Sequence, residues 1–226
     1  TTRLFMLHIV TRDWCKISLL IMFIAIEGID ATGKTTLCKN LAEQLGAKYY
    51  KSPPKLITCF RKLADESIPL VRYFYYTLGN LITTVALKMF YRNVVVVCEW
   101  YAFSTAAYHS VLLGKDLFLP KMTRLPNLII FLTCDMKQIK KRLLLRKEAN
   151  KYEYLPFLEK VQKQYQRLFT LYNKVPVLTY DTGIKSSEQT LRGAVTDAQI
   201  FVDKFTALCV KCKHEHESNA SSKYKI

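Results

Sequence analysis

The apolar run Leu19-Leu20-Ile21-Met22-Phe23-Ile24-Ala25-Ile26 leads, across a single glutamate, into Gly28-Ile29-Asp30-Ala31-Thr32-Gly33-Lys34-Thr35. A helical pattern follows at once: Leu37, Cys38, Leu41, Ala42 and Leu45 recur at three- and four-residue spacing, and Gly46 closes the segment. Strand, glycine loop and amphipathic helix in that order demand a sheet that buries the strand and a layer that takes the helix. The G-x-x-x-x-G-K-[ST] spacing also carries chemistry. Gly28 and Gly33 let backbone N–H groups close around anionic oxygens where a side chain would block the approach. The helix that starts near Lys34 aims its positive end at the same anion. Lys34 then reaches the terminal phosphates, and the Thr35 hydroxyl serves as a magnesium ligand. Residues Gly28 through Thr36 are therefore assigned to a nucleoside triphosphate, with Ile29, Asp30, Ala31, Thr32 and Gly33 forming the loop itself.

Strands and helices alternate along the rest of the chain. Strands are expected near Ala47–Tyr50, Val94–Cys98, Leu128–Leu132 and Val175–Tyr180, and helices over 55–64, 67–90, 135–147, 156–172 and 191–205. Ser52-Pro53-Pro54 breaks the chain between the second strand and the helix after it. The class is α/β: three layers, α/β/α, around a central, mainly parallel five-stranded sheet. Three regions are expected. Residues 1–17 form an N-terminal extension, read as a transit-peptide remnant or the end of a preceding domain. Residues 18–207 form one globular domain, and residues 208–226 a polar, flexible tail.

With 226 residues, half of them hydrophobic, the chain can bury a sizeable core. No apolar run approaches the roughly 18 residues of a membrane span, so no membrane partner is expected. Seven scattered cysteines, an odd number, point to reduced thiols inside a cell, in the mitochondrial matrix or the cytoplasm. The excess of 34 Lys+Arg over 18 Asp+Glu is spread along the chain rather than gathered in an arm. Polyanionic small substrates account for it, and nucleic acid is not expected as a partner. In the tail, Cys209, Cys212, His214 and His216 have metal-ligand chemistry, but the histidines follow too closely for the usual paired arrangement. A solvated segment is the expectation there.

Glu99 closes a buried run of four valines and a cysteine, a position suited to holding a magnesium ion and its waters. Asp135 is a rival of the same type. Asp30, inside the phosphate loop, would repel phosphate and is expected to face an acceptor sugar or a basic group. The loop holds no arginine, so transition-state charge must come from elsewhere. Arg142 and Arg146, four apart on one expected helix in the basic cluster Lys137–Lys147, are the candidates, next to a polar stretch, 147–151, that reads as a mobile lid.

Phe23 through Thr36 resembles the opening of the thymidylate kinase family of nucleoside monophosphate kinases, which have the P-loop NTPase fold. Within that family, Asp30-Ala31-Thr32, Lys51-Ser52-Pro53-Pro54, Arg61-Lys62, Tyr76-Thr77-Leu78-Gly79-Asn80 and Tyr165-Gln166-Arg167 are most similar to the mitochondrial UMP–CMP kinase branch. The resemblance, over residues 20–205, implies magnesium-dependent transfer of the γ-phosphoryl of ATP to a pyrimidine nucleoside monophosphate, one of CMP, UMP, dCMP, dUMP or dTMP. It implies that Lys34 braces the transferred group, that Thr35 and Glu99 hold magnesium, and that Arg142 and Arg146 belong to the lid. It further implies that Asp30 faces the acceptor sugar, Arg61 grips the acceptor phosphate, Tyr76 and Tyr108 line the acceptor pocket, and Ser104 supports its wall.

The resemblance departs at one place: the family's Asp-Arg is Glu99-Trp100 here. An indole cannot form the bidentate phosphate contact of a guanidinium. The acceptor site therefore includes Trp100, with Arg61, Arg72 or Arg124 as possible replacements. A nucleotide-binding pseudokinase acting as a regulatory module is the alternative. A homodimer through the aromatic 73–90 helix is a further expectation.

Overall fold

Every residue of β1 (Met22–Gly28) is buried, because the strand has a neighbour on each edge and a helical layer on each face. The computed structural model describes residues 21–91, 94–146 and 152–223, with side chains through residue 207. β1 pairs with β3 (Val95–Glu99) on one side and β4 (Leu128–Thr133) on the other. β2 (Lys48–Lys51) lies outside β3, and β5 (Val177–Asp181) outside β4. The sheet has five strands in the order β2-β3-β1-β4-β5, all parallel.

Side-chain alternation along β1 divides the core in two. Met22, Ile24 and Ile26 pack on α1 (Lys34–Gln44), through Leu37, Cys38 and Leu41, and on α7 (Ser187–Lys223), through Ala194, Ala198 and Phe205. Phe23 and Ala25 pack on the opposite layer, where α4 (Ala102–Leu113) supplies Phe103, Ala106 and Ala107. α6 (Leu155–Leu171) adds Leu158, Val161, Tyr165 and Leu168 to that layer. Each large aliphatic or phenylalanine side chain so buried contributes about 1.5–3 kcal/mol. The three-layer arrangement is the one expected from the alternating pattern.

α4 is absent from the sequence reading. All of Ala102–Ser110 is buried, and a helix enclosed on every side carries no apolar stripe for periodicity to find. The expected helix over 55–64 is two pieces, a 3-10 segment Lys55–Phe60 and α2 (Arg61–Glu66). α3 (Pro69–Phe90) matches the long aromatic helix expected over 67–90. α5 (Met136–Leu144) stops before the expected end at 147. The backbone of α7 continues to Lys223 where a flexible tail was expected, and no glycine or proline after Gly193 interrupts it. Residues 1–17, the expected extension, and 147–151, the expected lid, lie outside the described residues, as do the side chains of Cys209, Cys212, His214 and His216.

The carboxyl ends of β1 and β4 approach closely at Gly28. A Cβ there would stand 2.5 Å from the Leu132 carbonyl oxygen, and the backbone φ is +145°. Crowding and an unfavourable dihedral therefore act together at this position. Gly28→Ala should cost about 2–5 kcal/mol and lower the midpoint of a thermal melt by roughly 5–15 °C; an unchanged midpoint would contradict the packing described.

Candidate active site

The glycine loop runs from the end of β1 to the start of α1, with Gly33 at a φ of 91° as the N-cap and Leu37 N–H donating to Gly33 O at 3.0 Å. Thr32 Oγ1 and Lys34 Nζ both donate to the Ile29 carbonyl, at 2.8 and 2.6 Å. This closes the loop on itself and turns Ile29 and Thr32 inward, where they are buried. Lys34 is also buried. Burial lowers its pKa, while the nearby Asp30, Glu99 and Glu27 carboxylates oppose that shift.

Asp30 faces α4. Tyr108 OH donates to Asp30 Oδ2 at 2.8 Å and accepts from the Asp30 amide at 3.0 Å, so one hydroxyl holds both ends of the residue. Glu99, 1% exposed, stands across from it. It accepts from Thr35 Oγ1 at 2.6 Å and Tyr49 OH at 2.8 Å, and pairs with Lys51 at 3.5 Å. Trp100, next in the chain, has a φ of 58°, which for a bulky residue costs about 1–3 kcal/mol. Its ring lies 4.5 Å from Lys34 Nζ and 5.1 Å from the Tyr108 ring. The indole thus covers the lysine and lines the passage between the loop and α4.

Thr35 and Glu99 suit magnesium on chemical grounds. Both offer hard oxygen ligands, and they are already drawn together at 2.6 Å. A hydroxyl that donates to a carboxylate keeps its lone pairs for the cation. Asp135, the rival, instead caps α5 by accepting from the Lys137 amide.

A second cluster supports the loop from behind. Glu27 is fully buried; its Oε2 accepts from Ser104 Oγ, and Tyr165 OH donates to Ser104 at 2.7 Å while lying 3.3 Å from the same Glu27 oxygen. Burial raises the Glu27 pKa from 4.5 to about 7, against the lowering effect of Ser104, Lys34 and Tyr165. Ser104 thereby joins the cleft wall to the strand beneath the loop.

These groups border one cleft of about 350 Å³. Of the residues singled out in the sequence, Asp30, Lys34, Thr35, Glu99, Trp100 and Tyr108 meet at its loop end, together with Ala31, Gly33 and Thr36. Arg61, Tyr76 and Ser104 line the remainder, and Arg146 closes it from the α5 side, bound to Glu153 at 2.7 Å. Arg142 does not border the cleft. Its guanidinium donates to Ala31 O at 3.1 Å and to the Thr182 carbonyl at 2.5 Å, bracing the outside of the loop. The two arginines do not share a helical face, because α5 ends at Leu144 and leaves Arg146 beyond it.

Arg124 is also elsewhere, donating to Ile21 O at 3.1 Å just ahead of the central strand β1. Arg72, in contrast, lines the cleft, as do Asn80 and His109. Asp65 gathers this wall: it accepts from Arg72 Nε at 2.9 Å and Tyr76 OH at 2.8 Å, and pairs with Arg61 at 3.5 Å. Burial alone would raise the Asp65 pKa; hydrogen bonds from Arg72 and Tyr76 and the two arginine charges bring it below the ordinary value. Sequence reasoning missed Asp65 and His109. The Arg61–Asp65 spacing of four was the only local signal for the first, and His109 sits on the helix that periodicity could not reveal.

Residues 26–189 match the family model described as thymidylate kinase. The chain is 32% identical over 176 residues to a probable thymidylate kinase of Picrophilus torridus, covering 70% of this chain and 86% of that protein. It is 28% identical over 180 residues to a probable thymidylate kinase of Methanocaldococcus jannaschii, covering 74% and 90%. A shorter stretch of 59 residues is 48% identical to the mitochondrial UMP-CMP kinase 2 of Homo sapiens, 26% of this chain and 13% of that protein. Among solved structures, a thymidylate kinase from Candida albicans aligns with a TM-score of 0.60 at 21% identity, over 81% of this chain and 93% of that one, a likeness of fold.

The Glu27 cluster makes stability depend on pH. Its folded pKa of about 7 stands above the ordinary 4.5, so the folded state holds the proton more tightly than the unfolded chain. Stability should fall as pH rises from about 4.5 to about 7, by about 3 kcal/mol, and level off above. Urea unfolding at pH 5 and pH 7 reads this slope; Glu27→Gln should flatten it, and an equal slope in the variant would contradict the assignment.

Proposed function

Because the chain belongs to the thymidylate kinase family, we propose that it is an ATP-dependent kinase that phosphorylates a pyrimidine nucleoside monophosphate. The observation that carries this reading is the cleft running from Lys34, Tyr108 and the glycine loop to a wall of Arg61, Tyr76 and Ser104. A donor seated on the loop and an acceptor held along that wall bring their phosphates together beside Lys34. An oxygen of the acceptor phosphate attacks the γ-phosphorus of ATP, the bond to the β-phosphate oxygen breaks, and ADP leaves with that oxygen's charge.

Lys34 and the loop amides neutralise the donor phosphates, and Arg61, half-exposed and paired with Asp65 at 3.5 Å, takes the acceptor phosphate. Asp30 and Tyr108 orient the acceptor sugar. Thr35 and Glu99 would hold magnesium, which when bound screens the triphosphate charge. Arg146 adds positive charge from the far side and helps exclude water. Arg142 serves by holding the loop at Ala31. Residues 18–207 are the catalytic unit. The buried, unpaired thiols of Cys38, Cys98 and Cys134 favour the mitochondrial matrix or the cytoplasm.

dTMP leads the list of acceptors through the family; UMP and CMP, with dUMP and dCMP, join it through the shorter UMP-CMP kinase match. One observation favours a second reading, a nucleotide-binding regulatory module: the Trp100 ring covers Lys34 where the family carries an arginine.

ADP release with Mg-ATP against dTMP, UMP, CMP, dUMP and dCMP separates the two readings. One or two acceptors should stimulate release, and Lys34→Ala should lower it by about a hundredfold or more. ATP binding with no acceptor-dependent release would favour the regulatory module, and Trp100→Arg should then raise release sharply. We also propose a homodimer face on α3, where Leu70, Phe74, Leu78, Val85 and Met89 are exposed at near-helical spacing. Phe74→Glu should halve the mass seen by light scattering; an unchanged mass would count against this face.

A further inference from the structure

Five lysine and arginine side chains border the cleft: Lys34, Lys51, Arg61, Arg72 and Arg146. Lys34 is buried against the Ile29 carbonyl and the Trp100 ring, Arg61 and Arg72 share Asp65, and Arg146 is held by Glu153. Lys51 differs in the anion it sits on. Its ammonium lies 3.5 Å from Glu99 Oε1, the oxygen that also accepts from Thr35 Oγ1. Thr35 and Glu99 are the pair suited to magnesium, so Lys51 stands on ground that a divalent cation would claim.

Of the three side chains on Glu99, Lys51 is held least firmly. Thr35 and Tyr49 donate to the carboxylate at 2.6 and 2.8 Å. The lysine contact is longer than an ordinary N–H···O bond, which spans about 2.7–3.2 Å. The Glu99 side chain is 1% exposed and that of Lys51 44%. The carboxylate is thus fixed, while the ammonium ends a flexible stem half in solvent. The backbone below is pinned: Lys51 ends β2 in register with Glu99, and the Ser52 amide donates to Glu99 O at 3.1 Å. A change of partner at the ammonium leaves the sheet as it is.

A dication between Glu99 and Thr35 would set like charge beside Lys51, and unit charges about 4 Å apart near a protein surface repel strongly. The displaced ammonium has the cleft before it. Asp30, Asp65 and Glu153 in and around that cleft already have partners in Tyr108, the two arginines and Arg146. The unanswered negative charge there is what substrates bring.

We propose that Lys51 is a further phosphate-binding residue, parked on Glu99 until a divalent cation takes that carboxylate and then passed to a substrate phosphate. The exchange keeps Glu99 paired with positive charge throughout and delivers the lysine only to a metal-loaded site. This rests on the monophosphate-kinase reading and deepens it. The polyphosphate of a donor and the phosphate of an acceptor share the required chemistry, and the test separates them.

The test needs no turnover. Mn2+, a paramagnetic cation with the same preference for oxygen ligands, is titrated into the chain alone and followed by electron paramagnetic resonance. Binding of inorganic tripolyphosphate, the donor-end probe, and of dTMP, UMP and CMP, the acceptor-end probes, is measured by calorimetry with and without Mg2+. Lys51→Met should bind Mn2+ about three- to tenfold more tightly, having lost the competing charge. It should also lose about tenfold in Mg2+-dependent binding at one end, which identifies the phosphate that receives the lysine. Lys51→Arg, which keeps the charge, should reverse the gain in Mn2+ affinity. The opposite signs in Lys51→Met are the mark of the exchange, since a merely structural lysine would weaken both. Weakening of both, no change in either, or tighter Mn2+ with unchanged phosphate binding overturns the proposal.

The unmutated chain gives an independent reading through amine acetylation located by mass spectrometry. Saturating Mg2+ should speed labelling of Lys51, and Mg2+ with the responsive phosphate probe should slow it. A rate unchanged in both conditions overturns the proposal whatever the variants do. These binding signs without acceptor-dependent ADP release would sink the kinase reading and uphold this inference; release without the signs would sink this inference alone.

Discussion

The parallel seating of β1 between β3 and β4 is the constraint from which the site follows. Register sets Ile26 against Glu99 and Gly28 against Leu132, so three strand ends come level at one edge of the sheet. A loop leaving β1 there, turning at Gly33 into α1, places the Thr35 hydroxyl 2.6 Å from Glu99 without any long reach. Open parallel sheets bind ligands at such carboxyl edges, where strand order reverses. The close approach at Gly28 is what lets the loop start so near β4.

That arrangement concentrates charge in a dry place. Lys34, Glu27 and Glu99 are each at most 5% exposed, and an isolated buried ion costs several kcal/mol. The chain manages this by mutual satisfaction. Lys34 is held by the Ile29 carbonyl and the Trp100 face, Glu99 by Thr35, Tyr49 and Lys51, and Glu27 by Ser104 and Tyr165. Tyr49 and Lys51 come from β2, the edge strand, so even the outermost pairing of the sheet serves the site. The buried Glu99 carboxylate is anchored by these two partners.

Much of the fold was legible because its signals are local. Apolar runs of strand length, the glycine loop and the amphipathic spacing of α1 and α6 each lie within a short window, and the five-stranded α/β/α architecture follows from their order. α4 escaped because it is buried all round, and with it went the identity of the wall facing α3. At the site, Lys34, Thr35 and Glu99 were legible from motif and strand end. Arg142 and Arg146 were paired by a spacing of four that the early end of α5 cancels, sending one arginine to Ala31 and the other to Glu153. Asp65, Arg72 and His109 come together only through the packing of α2, α3 and α4, which no spacing within the chain encodes.

The central claim is that donor and acceptor occupy one continuous cleft and meet at Lys34. Calorimetric titration with a dinucleoside pentaphosphate, adenosine joined to a pyrimidine nucleoside, measures this directly. Binding at least about a hundredfold tighter than that of ATP or of the monophosphate alone is the predicted result, since one tethered molecule fills both ends. Binding no tighter than that of ATP would mean that the two ends do not act as one site.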